Sequence, residues 1–174
     1  LRRCPLRSMT VVGDLAQRSS SEPTTSWRAV MGKAGREHVR QAALTVSYRT
    51  PATVLDAATS VLMAGAPGDY IPLTAARDIP NSLVNTRAHW RDVLVDIVRS
   101  ELGGKTAVIA PSEQLAGVRD ELSHFLGDAM ASPDGKMLTA PLVVIDVNSA
   151  KGLEFDSVIL VEPAQIAASS VGDI

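Results

Sequence analysis

Three short segments of this chain combine polar side chains that can act on a phosphate group. The first is Gly13-Asp14-Leu15-Ala16-Gln17, which sets a carboxylate and a carboxamide one helical turn apart after an apolar run. The Gln17 amide carries both donor and acceptor, so it can hold a phosphate oxygen and an attacking water together. Alone the pentapeptide is weak, because Gly-Asp is also a common turn. The second segment is Ser47-Tyr48-Arg49-Thr50-Pro51, where Arg49 stands between a run of strand character and a helix start. A guanidinium so placed can stabilise charge on a transferred phosphoryl group, worth about 10³ to 10⁵ in rate where an arginine finger supplies it. By itself, an Arg before a helix is usually a surface residue. The third segment is Ala150-Lys151-Gly152-Leu153-Glu154-Phe155-Asp156, a polar loop between two apolar runs. Loops at strand tips are where a parallel α/β sheet makes its ligand contacts.

The elements that must position these segments alternate between strand and helix. Residues 8–12 are a short run with β-branched residues that stops at Gly13-Asp14, as a buried strand feeding a loop would. Residues 18–25 are rich in Ser, Thr and Pro and read as a linker, while residues 27–36 are ambiguous because Gly32 and Gly35 interrupt a helical pattern. Alternation around Leu44, Val46 and Tyr48 predicts a strand over residues 41–48. Thr50 as N-cap and Pro51 at the first helical position start a helix to about Met63, ended by Gly65. Its Val54, Leu55, Ala58, Val61 and Leu62 form one stripe to be buried. Residues 66–80 read as loop, with a short strand near residues 81–86.

From residue 88 to 102, Trp90, Val93, Leu94, Ile97, Val98 and Leu102 share one helical face, and Gly103-Gly104 ends it. Residues 105–110 are strand-like. Ser112 then caps a helix to about Leu126 with Leu115, Val118, Leu122 and Phe125 as its buried positions. Residues 141–147 are almost continuously apolar, which predicts a central parallel strand, and residues 157–161 repeat the pattern. Such a rhythm predicts a parallel sheet covered by helices.

Composition narrows the class. With 174 residues, 45% hydrophobic and 21% charged, the chain can bury one domain's core. Aromatic residues are 3%, so that core must be built from aliphatic side chains. The net charge of −2 gives no global attraction to nucleic acid, although Arg2, Arg3 and Arg7 cluster at the start. A single cysteine, Cys4, excludes an intrachain disulfide. No apolar run approaches the roughly 20 residues needed to span a bilayer. The start lacks both an initiating Met and the apolar core of a signal peptide, and the ending is abrupt, as expected of a cut inside a longer protein. His38, His89 and His124 lack metal-ligand spacing, so no metal site is expected. Ser19 to Ser21 lack the context of a nucleophile, and Trp27 and Trp90 read as packing residues.

In this order and at these distances, the three segments resemble motifs of the superfamily 1 helicases, the UvrD/Rep-like motor ATPases, over nearly the whole chain. The resemblance implies a RecA-like α/β fold, a parallel sheet with helices on both faces, here as a second motor domain lacking the phosphate loop. Residues 1–25 would then be the end of the first motor domain with a linker, and residues 26–174 the second motor domain, truncated at its C-terminus. In this family the residue matching Gln17 senses the γ-phosphate and couples its loss to domain motion. Asp14 would be structural support or an interface contact. Tyr48-Arg49 matches the family's aromatic-arginine pair, which implies a γ-phosphate role for Arg49, with Tyr48 near the nucleotide base or supporting Arg49. Gly152 would let backbone amides approach a phosphate, and Glu154 would accept hydrogen bonds from ribose hydroxyls. Lys151 is implied either as a coupling contact or as one half of a surface or structural ion pair. Leu153 and Phe155 would pack beneath the loop.

DNA-translocating members carry Thr and His shortly before the Lys-Gly of the third motif, where they contact the strand's backbone. This chain has Asp146 and Asn148 there, and a carboxylate repels phosphate. The combination most resembles the HelD branch, cytoplasmic bacterial ATPases that act on RNA polymerase. The sequence contains no G-x-x-x-x-G-K-[ST] and no acidic strand-end pair upstream of Gly13 to hold magnesium, and the family's C-terminal arginine motif is missing. The resemblance therefore implies that ATP and Mg²⁺ bind in the full-length protein, between this half and the first motor domain, and that the fragment alone is inactive. Two other functions compete: a conventional 3′–5′ DNA helicase acting on single-stranded DNA, and a catalytically inactive protein-binding module.

Overall fold

A computed structural model describes residues 10–14, 26–35, 39–64, 71–101, 103–126 and 140–172, which belong to two compact units, Leu1–Asn85 and Thr86–Ile174. Both are α/β, and every described strand pair is parallel.

In the first unit, helix α1 spans Trp27–Lys33. Ser26 caps it by accepting a hydrogen bond from the Ala29 N–H at 3.2 Å, and Gly35 ends it at φ +70°. Only glycine adopts that left-handed conformation at little cost, so the two glycines that obscure the pattern are its last turn and its stop. Strand β1 (Val46–Ser47) pairs with β2 (Thr74–Ala75), and helix α2 (Ala52–Ala64) lies between them in sequence.

Several expectations need correction in this unit. Thr10 to Val12 lie in no strand, and Val12 is 82% exposed, because no described segment pairs with them. Ser8 and Met9, together with the linker at residues 18–25, lie outside the described residues. The strand expected over residues 41–48 shrinks to Val46–Ser47, since its partner offers only Thr74–Ala75. No strand forms over residues 81–86, where Asn81 turns the chain at φ +57°. Helix α2 starts one residue later than expected, and the Ala52 N–H donates to the Arg77 carbonyl at 3.0 Å. Of its apolar stripe, Leu55 alone is buried and Val61 is 69% exposed. A two-residue strand pair gives that stripe too little to pack against.

The second unit is built around a three-stranded sheet in the order β4-β3-β5, with β3 (Thr106–Ile109), β4 (Leu142–Ile145) and β5 (Ser157–Leu160). Helices α3 (Trp90–Glu101) and α4 (Leu115–Leu126) cover one face. There Leu94, Val98, Val118 and Leu122 meet Val108, Leu142, Val144 and Val161, all buried. The opposite face, carrying Ala107, Ile109, Val143 and Ile145, is covered by Ala150, Leu153, Phe155 and Ile166. Ala150 ends the short helix α5 (Val147–Ala150), and Ile166 belongs to α6 (Pro163–Gly172). Alternate strand residues thus feed two separate apolar clusters, as a period of two requires.

Of the apolar run 141–147, Leu142–Ile145 form the strand and Val147 opens α5, and among the described strands β4 lies at an edge rather than in the expected centre. β3 takes the middle, bonded to β4 on one side and β5 on the other. Helices on both faces bury β4 as fully as β3, so burial alone does not reveal an edge. The edge is guarded: the Arg119 Nη2 donates to the Val144 carbonyl at 2.9 Å. Pro141 and Ile145 carbonyls accept from β3 and its extension, so the Val144 carbonyl points away from β3, toward the open side. Ser112 is also not a cap; it opens a 3₁₀ turn (Ser112–Gln114) leading into α4. The Phe125 side chain lies outside the described residues.

Candidate functional site

Parallel strands place their loops at two edges, and a ligand normally meets the carboxyl edge. In the second unit that edge carries Pro111 to Gln114 after β3, Asp146 after β4, and Glu162 to Gln165 after β5. The Asp146 carboxylate caps α5, accepting from the Ser149 N–H at 2.8 Å. The residue singled out for its charge therefore has a local structural use, because it satisfies an otherwise unpaired helix-start donor. Two residues on, the Asn148 side-chain oxygen accepts from Lys151 Nζ at 3.1 Å. Lys151 thus pairs with an amide within its own turn rather than with a carboxylate.

The Ala150–Asp156 segment is not confined to the strand tip. It begins in α5 at the carboxyl edge of β4 and ends at the amino edge of the sheet. There Asp156 Oδ2 accepts from the Lys105 N–H at 2.8 Å, and the Asp156 N–H donates to the Lys105 carbonyl at 2.8 Å. The connection between two parallel strands has to make this crossing. Gly152 turns the chain at φ +79° with nothing within 4 Å of where a Cβ would stand. Leu153 and Phe155 pack under the loop against the second apolar cluster, as expected. Their burial leaves Lys151 and Glu154 on the exposed side.

Next to Asp156, the Ser157 hydroxyl donates to Glu101 Oε2 at 2.7 Å and the Thr106 hydroxyl to the Glu101 carbonyl at 3.1 Å. These bonds tie the end of α3 to the starts of β3 and β5. Sequence reasoning missed this group, whose members are far apart in the chain.

A second missed pair sits at the carboxyl edge, between the strand loops of β3 and β5. Gln114 Nε2 donates to Gln165 Oε1 at 2.6 Å, while Gln114 Oε1 is buried without a hydrogen-bond partner among the described residues. The connection after β3 runs to β4 on one side, and the chain then returns to β5 on the other. That reversal is the switch point where open α/β sheets bind ligands. The only sequence signal was a Gln in the first turn after each strand.

In the first unit, Tyr48 and Arg49 follow β1 directly, and both are exposed, Tyr48 by 73%. Asp14 is exposed, and Gly13 lies against the Trp27 ring: a Cβ on it would stand 3.0 Å from the indole. Gln17 lies outside the described residues. Tyr48 and Arg49 thus lie in the first unit, and Asp146, Asn148, Lys151, Gly152 and Glu154 in the second, where Lys151 contacts Asn148. Among the described residues, no three of His, Cys, Asp and Glu gather as a metal site, and no helix is long and apolar enough to cross a membrane.

No protein-family model matches the chain, and comparison with curated proteins and with solved structures finds no match.

Proposed function

We propose that this chain is the second RecA-like motor domain of a superfamily 1 helicase-like ATPase, preceded by the end of the first motor domain within residues 1–25. The observation that carries the reading is the build of the third motif. Leu153 and Phe155 anchor it on the sheet, Gly152 turns it in the left-handed region, and Lys151 and Glu154 are presented outward. A loop anchored by its apolar residues can hold its polar ones without an ordering cost at the moment of binding. Exposed Arg49 at the start of α2 supports the reading, since a guanidinium that meets a γ-phosphate has to be accessible.

Arg49 and Gln17 would act on the γ-phosphate, and Glu154 and Gly152 on the ribose and a phosphate. Tyr48 would stand beside the nucleotide. Mg²⁺ and the phosphate loop would come from the first motor domain, the magnesium supplying charge neutralisation on the phosphates. The engagement of Asp146 as a cap keeps a carboxylate where strand-tracking relatives contact phosphates. That favours action on RNA polymerase, in the manner of HelD, over DNA tracking.

The deciding experiment compares two activities of the full-length protein in one preparation: unwinding of a tailed duplex and release of RNA polymerase from nucleic acid. Polymerase release with little unwinding supports the reading. Processive unwinding without polymerase binding leaves a conventional helicase, and polymerase binding without ATP turnover leaves an inactive binding module.

A further inference from the structure

We propose that Arg77 is a positioning residue that sets the backbone of Arg49, an inference resting on the phosphate role proposed for Arg49. The stretch after β2 grips the Arg49 segment at four points. The Ala76 N–H donates to the Ser47 carbonyl at 2.8 Å, and the Ala52 N–H donates to the Arg77 carbonyl at 3.0 Å. The Thr53 and Ser82 hydroxyls meet at 2.9 Å. The fourth contact falls on Arg49 itself: Arg77 Nη1 donates to the Arg49 carbonyl at 3.5 Å.

One residue therefore acts at both ends of the turn. Its carbonyl takes an N–H at the start of α2, and its guanidinium holds the carbonyl that ends Arg49. Between them, the Thr50 N–H donates to Ser47 Oγ at 3.3 Å. Fixing the peptide after Arg49 limits rotation of the backbone from which its side chain projects. Arg77 is 28 residues away in sequence, so local pattern gave it no role. Catalytic groups need support of this kind, because a misplacement of about 1 Å can cost on the order of 10² in rate.

The test uses the full-length ATPase with Arg77→Ala, Arg49→Ala and the double variant, measuring kcat, KM for ATP and melting temperature. Arg77→Ala should lower kcat about tenfold while KM stays within about twofold, since the lost contact serves geometry rather than ground-state binding. The double variant should be no slower than Arg49→Ala alone, because nothing is left to position. Arg77→Lys, which keeps a charged donor on a long stem, should recover part of the loss and stands in if Arg77→Ala fails to fold. Losses that multiply in the double variant, or wild-type kcat for Arg77→Ala, overturn the proposal.

If Arg49→Ala turns over ATP normally, the phosphate role proposed for Arg49 has failed, while the ATPase reading stands. The geometric half is then decided by amide hydrogen exchange, where Arg77→Ala should speed exchange at Thr50 and Ala52 by about fivefold. Unchanged exchange there overturns it.

Discussion

Asp156 and Lys105 exchange two hydrogen bonds, the Lys105 N–H to the Asp156 carboxylate and the Asp156 N–H to the Lys105 carbonyl, each at 2.8 Å. This bracket ends the crossover from β4 and starts β5 in register with β3. Gly104 lies against it so closely that a Cβ would stand 2.6 Å from Asp156 Oδ2.

Asp156→Ala should lower the stability of the second unit by about 1 kcal/mol, the usual net value of such an exposed bond. Gly104→Ala should cost at least as much, because the carboxylate has to leave its place. In the Asp156→Ala background the same Gly104→Ala change should cost less, since Oδ2 and Cγ are gone, but part of the cost should stay because the retained Cβ of residue 156 stands 2.9 Å from the added one. Urea unfolding of the four proteins measures this coupling, and additive losses would count against the bracket.

The two apolar stripes read from the sequence differ in depth. Leu122 in α4 is fully buried, whereas Val61 in α2 is 69% exposed. Leu122→Ala should cost about 2–5 kcal/mol and Val61→Ala within about 0.5 kcal/mol. Denaturant midpoints for the two variants check the contrast.

Arg119 closes the outer edge of β4 through the Val144 carbonyl. Arg119→Met keeps the stem and removes the donor, so it should cost about 1 kcal/mol and leave an open strand edge. Light scattering during refolding should rise relative to wild type. An unchanged rate of aggregation would mean that the edge is covered by other means.

The 174-residue chain alone should hydrolyse no ATP, since it contains neither a G-x-x-x-x-G-K-[ST] segment nor the acidic pair that holds magnesium. On the function proposed above, Arg49→Ala in the full-length protein should lower turnover by about 10² or more while nucleotide affinity changes less. Near-normal turnover would place Arg49 on an ordinary surface. Turnover by the isolated chain that is lost with Glu154→Ala would overturn the division of the site between two domains.

What the sequence by itself determined lies mainly in the second unit. The stripes of α3 and α4, of which Leu94, Val98, Val118 and Leu122 are buried, and the apolar runs of β3 and β4 were legible because local periodicity and burial coincide there, with Leu102 and the Phe125 side chain outside the described residues. Leu153 and Phe155 were legible as loop anchors for the same reason. Only the tertiary structure decided that β3, and not β4, is the central strand, because a strand covered by helices on both faces is equally apolar at an edge. It also decided that the Ala150–Asp156 segment crosses the sheet, and that Gln114 meets Gln165 and Arg77 meets Arg49. Those contacts join residues far apart in the chain, and each depends on where the intervening elements pack. The stripe on α2 shows the converse limit: its spacing specified a helix, but exposure depended on how much sheet stood beside it.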